Sequence, residues 1–96
     1  MNIEIQFTGF PLLFDIFQDE LHHYVFSGST LFELIEDLVE RFGDRVRGSI
    51  YDPQTQTLDP TIQIVLNKEE YFNHNLYSGE IEEGDQVTFL KLLAGG

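Results

Sequence analysis

A helical period runs through the middle of this chain, and the stretches on either side alternate like strands. From Leu31 onward, Leu34, Ile35, Leu38, Val39 and Phe42 fall at steps of three and four. That spacing puts them on one apolar stripe of a helix of about 12 residues. Thr30-Leu31-Phe32-Glu33 has the pattern of a capping box, in which the threonine and the glutamate satisfy the first amides of the helix. Asp37 stands four residues before Arg41 as a supporting pair, and Gly43 supplies the stop. One helix cannot separate several parallel crossovers, so the strands must share a mixed sheet with the helix packed on one face.

The strands are read from period-two alternation. Residues 3–8 place Ile3, Ile5 and Phe7 on one side and Glu4, Gln6 and Thr8 on the other, until Gly9-Phe10-Pro11 breaks the run. A second strand over about residues 19–26 sets Leu21, His23 and Val25 against His22, Tyr24 and Phe26, and could pair with the first as a hairpin. Residues 44–60 are polar and turn-rich and read as a surface loop with a short extended piece. Residues 61–67 alternate through Ile62, Ile64 and Leu66, and Asn67-Lys68 turns the chain. A looser stretch through Tyr71, Phe72, Leu76 and Tyr77 reaches a tight turn at Glu83-Gly84-Asp85, and Gln86–Leu92 forms the last strand. The expected fold is α+β: a mixed four- to five-stranded sheet on one main helix, the β-grasp arrangement of ubiquitin.

At 96 residues the chain is expected to form one domain, with a flexible tail over about 92–96. A chain of this size buries roughly 60–65% of its unfolded surface, enough to hold a core without staples. With no cysteine there is no disulfide framework, thiolate site or cysteine nucleophile. No apolar run approaches the ~20 residues of a membrane span. The start, Met1-Asn2-Ile3-Glu4, lacks the form of a signal peptide, so a cytoplasmic protein is expected. Seventeen acidic and five basic residues give a net charge of −12, which opposes nucleic-acid phosphates and anionic lipid. Six acids and no Lys or Arg lie between Glu69 and Asp85, just before the last strand, and suit a basic surface on a protein partner.

Past that strand the sequence runs Leu92-Leu93-Ala94-Gly95-Gly96. Two glycines cannot block a narrow channel, and their backbone reaches conformations closed to other residues. The group offered at the tip is the main-chain carboxylate of Gly96. It suits activation by another enzyme as an acyl-adenylate and transfer to a nucleophile. From Lys91 to Gly96 the extended chain reaches at most about 20 Å, enough to thread a buried site.

Glu83-Gly84-Asp85-Gln86-Val87-Thr88-Phe89-Leu90 followed by Ala94-Gly95-Gly96 resembles the ending of the ThiS/MoaD sulfur-carrier family. Thr30 opening the helix, the Leu34/Leu38 stripe and Ile64-Val65-Leu66-Asn67 extend the resemblance over essentially the whole chain. The resemblance implies a carrier rather than a catalyst. In such a carrier an ATP-dependent enzyme related to ubiquitin-activating enzymes adenylates Gly96, with Gly95 beside it. Sulfur then replaces AMP, and a synthase such as the large subunit of molybdopterin synthase consumes the thiocarboxylate. No cofactor is implied. Two departures stand out: Lys91-Leu92 where many members have prolines, and a longer middle segment over 44–60. The longer middle is similar to the carrier of cysteine biosynthesis and to archaeal small modifier proteins. A ubiquitin-like modifier or interaction domain is the alternative.

Other constellations are weaker. His22 and His23 are adjacent on a strand and point to opposite faces, and His74 lies in a polar loop, so no metal site is expected. No phosphate-binding glycine loop occurs, and intrinsic enzymatic activity is not expected. If Phe89 joins the core, Leu90 faces outward. With Leu92, Leu93 and Ala94 it would form an apolar docking patch beside the tail, unless the 9–17 loop covers it.

Overall fold

The computed structural model describes residues 1–18, 20–51, 58, 59, 61–67, 69–71 and 79–91, the backbone alone for 69–71. The strands are β1 (Asn2–Thr8), β2 (His22–Val25), β3 (Ile62–Leu66), β4 (Glu69–Tyr71) and β5 (Gln86–Lys91). The helices are α1 (Phe14–Phe17), α2 (Leu31–Phe42) and α3 (Asp44–Ile50), and a 3-10 turn covers Pro11–Leu13. The strands form one mixed sheet in the order β2-β1-β5-β3-β4. β1 and β5 run parallel, and the other neighbouring pairs are antiparallel, the β1–β2 hairpin among them. This is the expected β-grasp, and β5 is its central strand.

Register puts the alternating apolar residues into rows. Phe7 lies opposite Phe89 and Phe89 opposite Ile64, while Ile5 faces Val87 and Val87 faces Leu66. The Phe7 and Phe89 rings stack at 4.7 Å with 10° between planes. Phe17 and Phe10 close on Phe7 at 4.6 and 5.4 Å. Against this face α2 lays Leu31, Leu34, Ile35, Leu38 and Val39, all buried. Each such side chain contributes roughly 1.5–3 kcal/mol by leaving water.

The caps of α2 follow the sequence pattern. Thr30 Oγ1 accepts from Glu33 N at 3.2 Å, and Glu33 Oε1 accepts from Ser29 N at 3.0 Å and from the Ser29 and Thr30 hydroxyls at 3.2 Å. Gly43 ends the helix at φ +77°, its N–H donating to Val39 O. Tyr24 ties β2 to the same helix: its hydroxyl donates to Asp37 Oδ2 at 2.5 Å, and Arg41 lies 4.4 Å over its ring.

Three expectations need correction. The segment read as a surface loop from 44 opens with α3, which buries Val46 and Ile50 four residues apart. Polar composition and Gly48 hide a helix of only seven residues, two turns being too short for a period to stand out. The short extended piece expected beyond it is an isolated bridge between Tyr51 and Leu58, and 52–57 lie outside the described residues. The second strand is shorter than 19–26: Gln18 turns at φ +53° and pairing starts at His22. Leu21 and Val25 are exposed on the side opposite buried Tyr24 and Phe26, as the alternation requires. The looser stretch opens with β4, and its Phe72, Leu76 and Tyr77 lie outside the described residues.

Candidate functional site

The site of interest is the end of β5, where the Gly-Gly segment is attached. Alternation fixes what each residue there does. Val87 and Phe89 are buried toward the helices, and Lys91 shares their side. Thr88 and Leu90 face the open side, and Leu90 is half-buried between Thr8 on β1 and Gln63 on β3. The rings of Phe10 and Phe17 turn to Phe7 on the helix side, so they do not cover Leu90.

Both ends of β5 are secured by side chains. At its start, Gly84 at φ +86° makes the expected turn, and Glu82 N donates to Asp85 Oδ2 at 2.8 Å. Asn67 Nδ2 donates to Asp85 Oδ1 at 2.8 Å, and Asn67 Oδ1 accepts from Gln86 N at 2.9 Å. Asn67 itself sits at φ +51°, a conformation asparagine tolerates better than most residues. Of the acids expected to meet a basic partner, Asp85 is therefore occupied within the fold, and Glu83 accepts from Asn2 N at 2.9 Å.

At the far end Lys91 Nζ lies 3.4 Å from Asp59 Oδ2. Asp59 Oδ1 accepts from Thr61 N at 2.9 Å and Thr61 Oγ1 at 2.7 Å. The Thr61 amide, then the Thr61 hydroxyl and the nearby ammonium, hold the Asp59 carboxyl below its ordinary range, partial burial opposing them. Gly9, at φ +85°, packs so closely that a β-carbon there would stand 2.9 Å from Lys91 O. Beside this junction lies a groove of about 240 Å³. Phe10, Pro11 and Leu12 form one wall and Gly48 and Ser49 the other, with Gly9 and Lys91 at its end.

Of the residues expected to form the site, Leu90 is described and lies where the alternation placed it. Leu92, Leu93, Ala94, Gly95 and Gly96 lie outside the described residues. The groove was not anticipated; the exposed Leu12 and Phe14 belong to the 9–17 segment, which was the alternative cover for Leu90. The signal for it in the sequence was Gly48, set between two core residues spaced as in a helix.

A second depression of about 340 Å³ runs along α2 past Glu33, Glu36, Asp37 and Glu40. Three of these carboxylates are engaged: Glu33 with Ser29 and Thr30 in the cap, Asp37 with Tyr24 and Arg41, Glu36 with the Tyr51 hydroxyl at 3.1 Å. The Ser29 amide, then the Ser29 and Thr30 hydroxyls, lower the Glu33 pKa. Burial, then the bond to Asp37, pushes the Tyr24 phenol well above its ordinary value. His22 pairs with Phe17 O and His23 with Asn2 Oδ1, and His74 lies outside the described residues. Among the described residues no three His, Asp or Glu converge as metal ligands, and no helix is long and apolar enough to cross a membrane.

No protein-family model matches the sequence, nor does any of the curated proteins. Solved structures do match the fold. SAMP1 from Haloferax volcanii superposes with a TM-score of 0.73 at 14% identity, over 100% of both chains. The Amycolatopsis orientalis BexX/CysO complex contains a chain matched at a TM-score of 0.65 and 21% identity, over 98% of this chain and 99% of that one. The complex of subunits 1 and 2 of molybdopterin-converting factor from Helicobacter pylori 26695 contains one matched at 0.56 and 21% identity, over 100% of both chains. These likenesses establish the ubiquitin-like β-grasp fold.

Proposed function

We propose that this chain is a sulfur carrier that works through the carboxylate of Gly96. An activating enzyme binds ATP, and the carboxylate oxygen attacks the α-phosphorus, releasing pyrophosphate and leaving an acyl-adenylate. A sulfur nucleophile at the oxidation level of sulfide then attacks the carbonyl, AMP departs, and a thiocarboxylate remains. A biosynthetic synthase consumes it, in the manner of the small subunit of molybdopterin synthase. The chain supplies a reachable tip, and its partners supply positioning and electrostatic stabilisation in the cytoplasm, where ATP is spent.

The observation that carries this reading is the place of Lys91: it closes the central strand, and the five residues beyond it end in Gly95-Gly96. A segment rooted in the middle of the sheet leaves from the firmest part of the fold. The internally engaged carboxylates of the α2 depression support a carrier over an enzyme. The ThiS/MoaD-like ending and the likeness in fold to a molybdopterin-converting factor complex support it further.

Deleting Gly96 tests the proposal. The reacting carbonyl would be withdrawn by about 3.5 Å. Misplacement by even ~1 Å can cost about 100-fold in rate. ATP–pyrophosphate exchange with the purified activating enzyme should be abolished while Tm is unchanged, and one residue added after Gly96 should be nearly as harmful. Full exchange by the deletion variant would overturn the proposal. A protein modifier is the second reading, favoured by the fold match to SAMP1 at 0.73. Its tail would be activated in the same way, but a lysine amine would displace AMP. Intact mass separates the two: sulfur in place of the terminal oxygen adds about 16 mass units, whereas conjugation gives lysine-linked adducts.

A further inference from the structure

Gly48 stands in the middle of the seven-residue α3, yet neither backbone nor packing asks for glycine there. The backbone is helical, and a β-carbon built on it meets no heavy atom within 4 Å. Almost any side chain would favour the helix more. A local rule broken with no gain inside the fold marks a position kept for something else. What the bare position does is leave open the groove at the end of β5, of which Gly48 forms one wall.

The chemistry of that groove is specific. Its polar groups are already engaged: Ser49 Oγ donates to Arg45 O at 2.8 Å, and Lys91 Nζ pairs with Asp59. The neighbouring Arg45 is held by both oxygens of Asp15, at 3.0 and 2.9 Å. In a chain with a net charge of −12, Lys91 and Arg45 are each paired with a carboxylate beside an apolar slot. Leu12 on the opposite wall is 66% exposed, and Phe14 two residues on is 61% exposed. A cavity of roughly 150 Å³ lined by apolar groups takes up benzene, so about 240 Å³ leaves room for one aromatic or leucine-sized side chain.

We infer that this groove seats an apolar, uncharged side chain of the enzyme that activates Gly96, an inference that rests on the carrier function proposed above. The length of the tail supplies the occupant. Five residues beyond Lys91 span at most about 18 Å when extended. An enzyme that encloses the carboxylate must bring its own surface up to Lys91, and the groove begins there. The contact lies on the helix side of β5, away from Leu90.

The test uses the full chain as the varied substrate in ATP–pyrophosphate exchange with the purified activating enzyme. Gly48→Leu adds a side chain at the groove wall, its β-carbon meeting nothing within 4 Å, and Leu12→Ser strips the facing wall. Gly48→Leu should raise KM about 10-fold or more while kcat stays within about twofold, the mark of lost docking rather than lost chemistry. Its Tm should hold or rise, and Leu12→Ser should raise KM in the same direction. A wild-type KM for a folded Gly48→Leu overturns the inference. If that variant fails to fold, an unchanged KM for Leu12→Ser does so. A wild-type chain that supports no exchange overturns the carrier function and this inference together, whereas an active wild type with an indifferent Gly48→Leu overturns the groove alone. Wild-type dimers in sedimentation that Gly48→Leu dissolves would assign the groove to a second copy and overturn it as well.

Discussion

Lys91 meets a carboxylate that Thr61 already holds: Asp59 takes two hydrogen bonds from Thr61 and a longer contact from the ammonium at 3.4 Å. The order of strengths follows from the geometry. Hydrogen bonds to a charged group contribute roughly 1.5–3 kcal/mol, and a partly exposed ion pair about 0–1 kcal/mol. Asp59→Ala should therefore cost about 2 kcal/mol in urea unfolding, and Lys91→Met under about 1 kcal/mol. A double-mutant cycle that returned most of the Asp59 effect to Lys91 would contradict this ranking.

The same carboxylate sets a pH dependence. Its folded pKa lies below the unfolded one, so its contribution is complete above the unfolded value of about 4. It is lost as pH falls through the lower folded value. The stability difference between the wild type and Asp59→Asn should hold near pH 6 and shrink toward about pH 2. A difference that grew on acidification would give the wrong sign.

Tyr24 works at the opposite end of the scale. Its raised pKa means that the folded state keeps the phenol proton, so its contribution is intact below the unfolded value of about 10 and is lost above it. Tyr24 should resist spectroscopic titration until the fold gives way, and Tyr24→Phe should abolish that late step. A late step that survives in the variant would assign it elsewhere.

Removing the Thr30 side chain should cost about 1 kcal/mol, because one amide at the head of α2 loses its acceptor. In a domain of this size that lowers Tm by roughly 4–8 °C. Thr30→Ser should recover most of the loss, and no recovery would mean that the methyl group rather than the cap matters.

Leu90→Glu addresses the open face. The residue is half-buried between Thr8 and Gln63, so a charge there should cost about 1 kcal/mol or less of stability. If the proposed carrier function holds, titration against a sulfur-accepting synthase should show weaker binding, because a docking surface would lose apolar area and gain a charge to desolvate. Unfolding without any change in affinity per folded molecule would return Leu90 to a purely structural part.

The sequence discloses those parts of the fold in which the side-chain period is long enough to count. Six stripe residues over three turns announce α2, and Asn67, Gly84 and Asp85 announce turns through their backbone preferences. What it hides depends on contacts between distant segments. In α3 only Val46 and Ile50 repeat the period, and both are buried in the molecule's common apolar core. The groove at Gly48 arises because Phe10, Pro11 and Leu12, nearly forty residues earlier, lie across from α3. Leu90 could be placed because an alternating strand leaves a side chain only two choices of face.

The parallel alignment of β1 and β5 has a mechanical consequence. Traction on the chain beyond Lys91, against resistance at Met1, would draw the two strands past each other lengthwise. The ladder bonds would then share the load in shear instead of parting one at a time like a zipper. With β3 bonded along the other flank, β5 is gripped from both sides. Under the carrier function proposed above, an enzyme drawing on the tail would load the whole ladder before any single bond gave way.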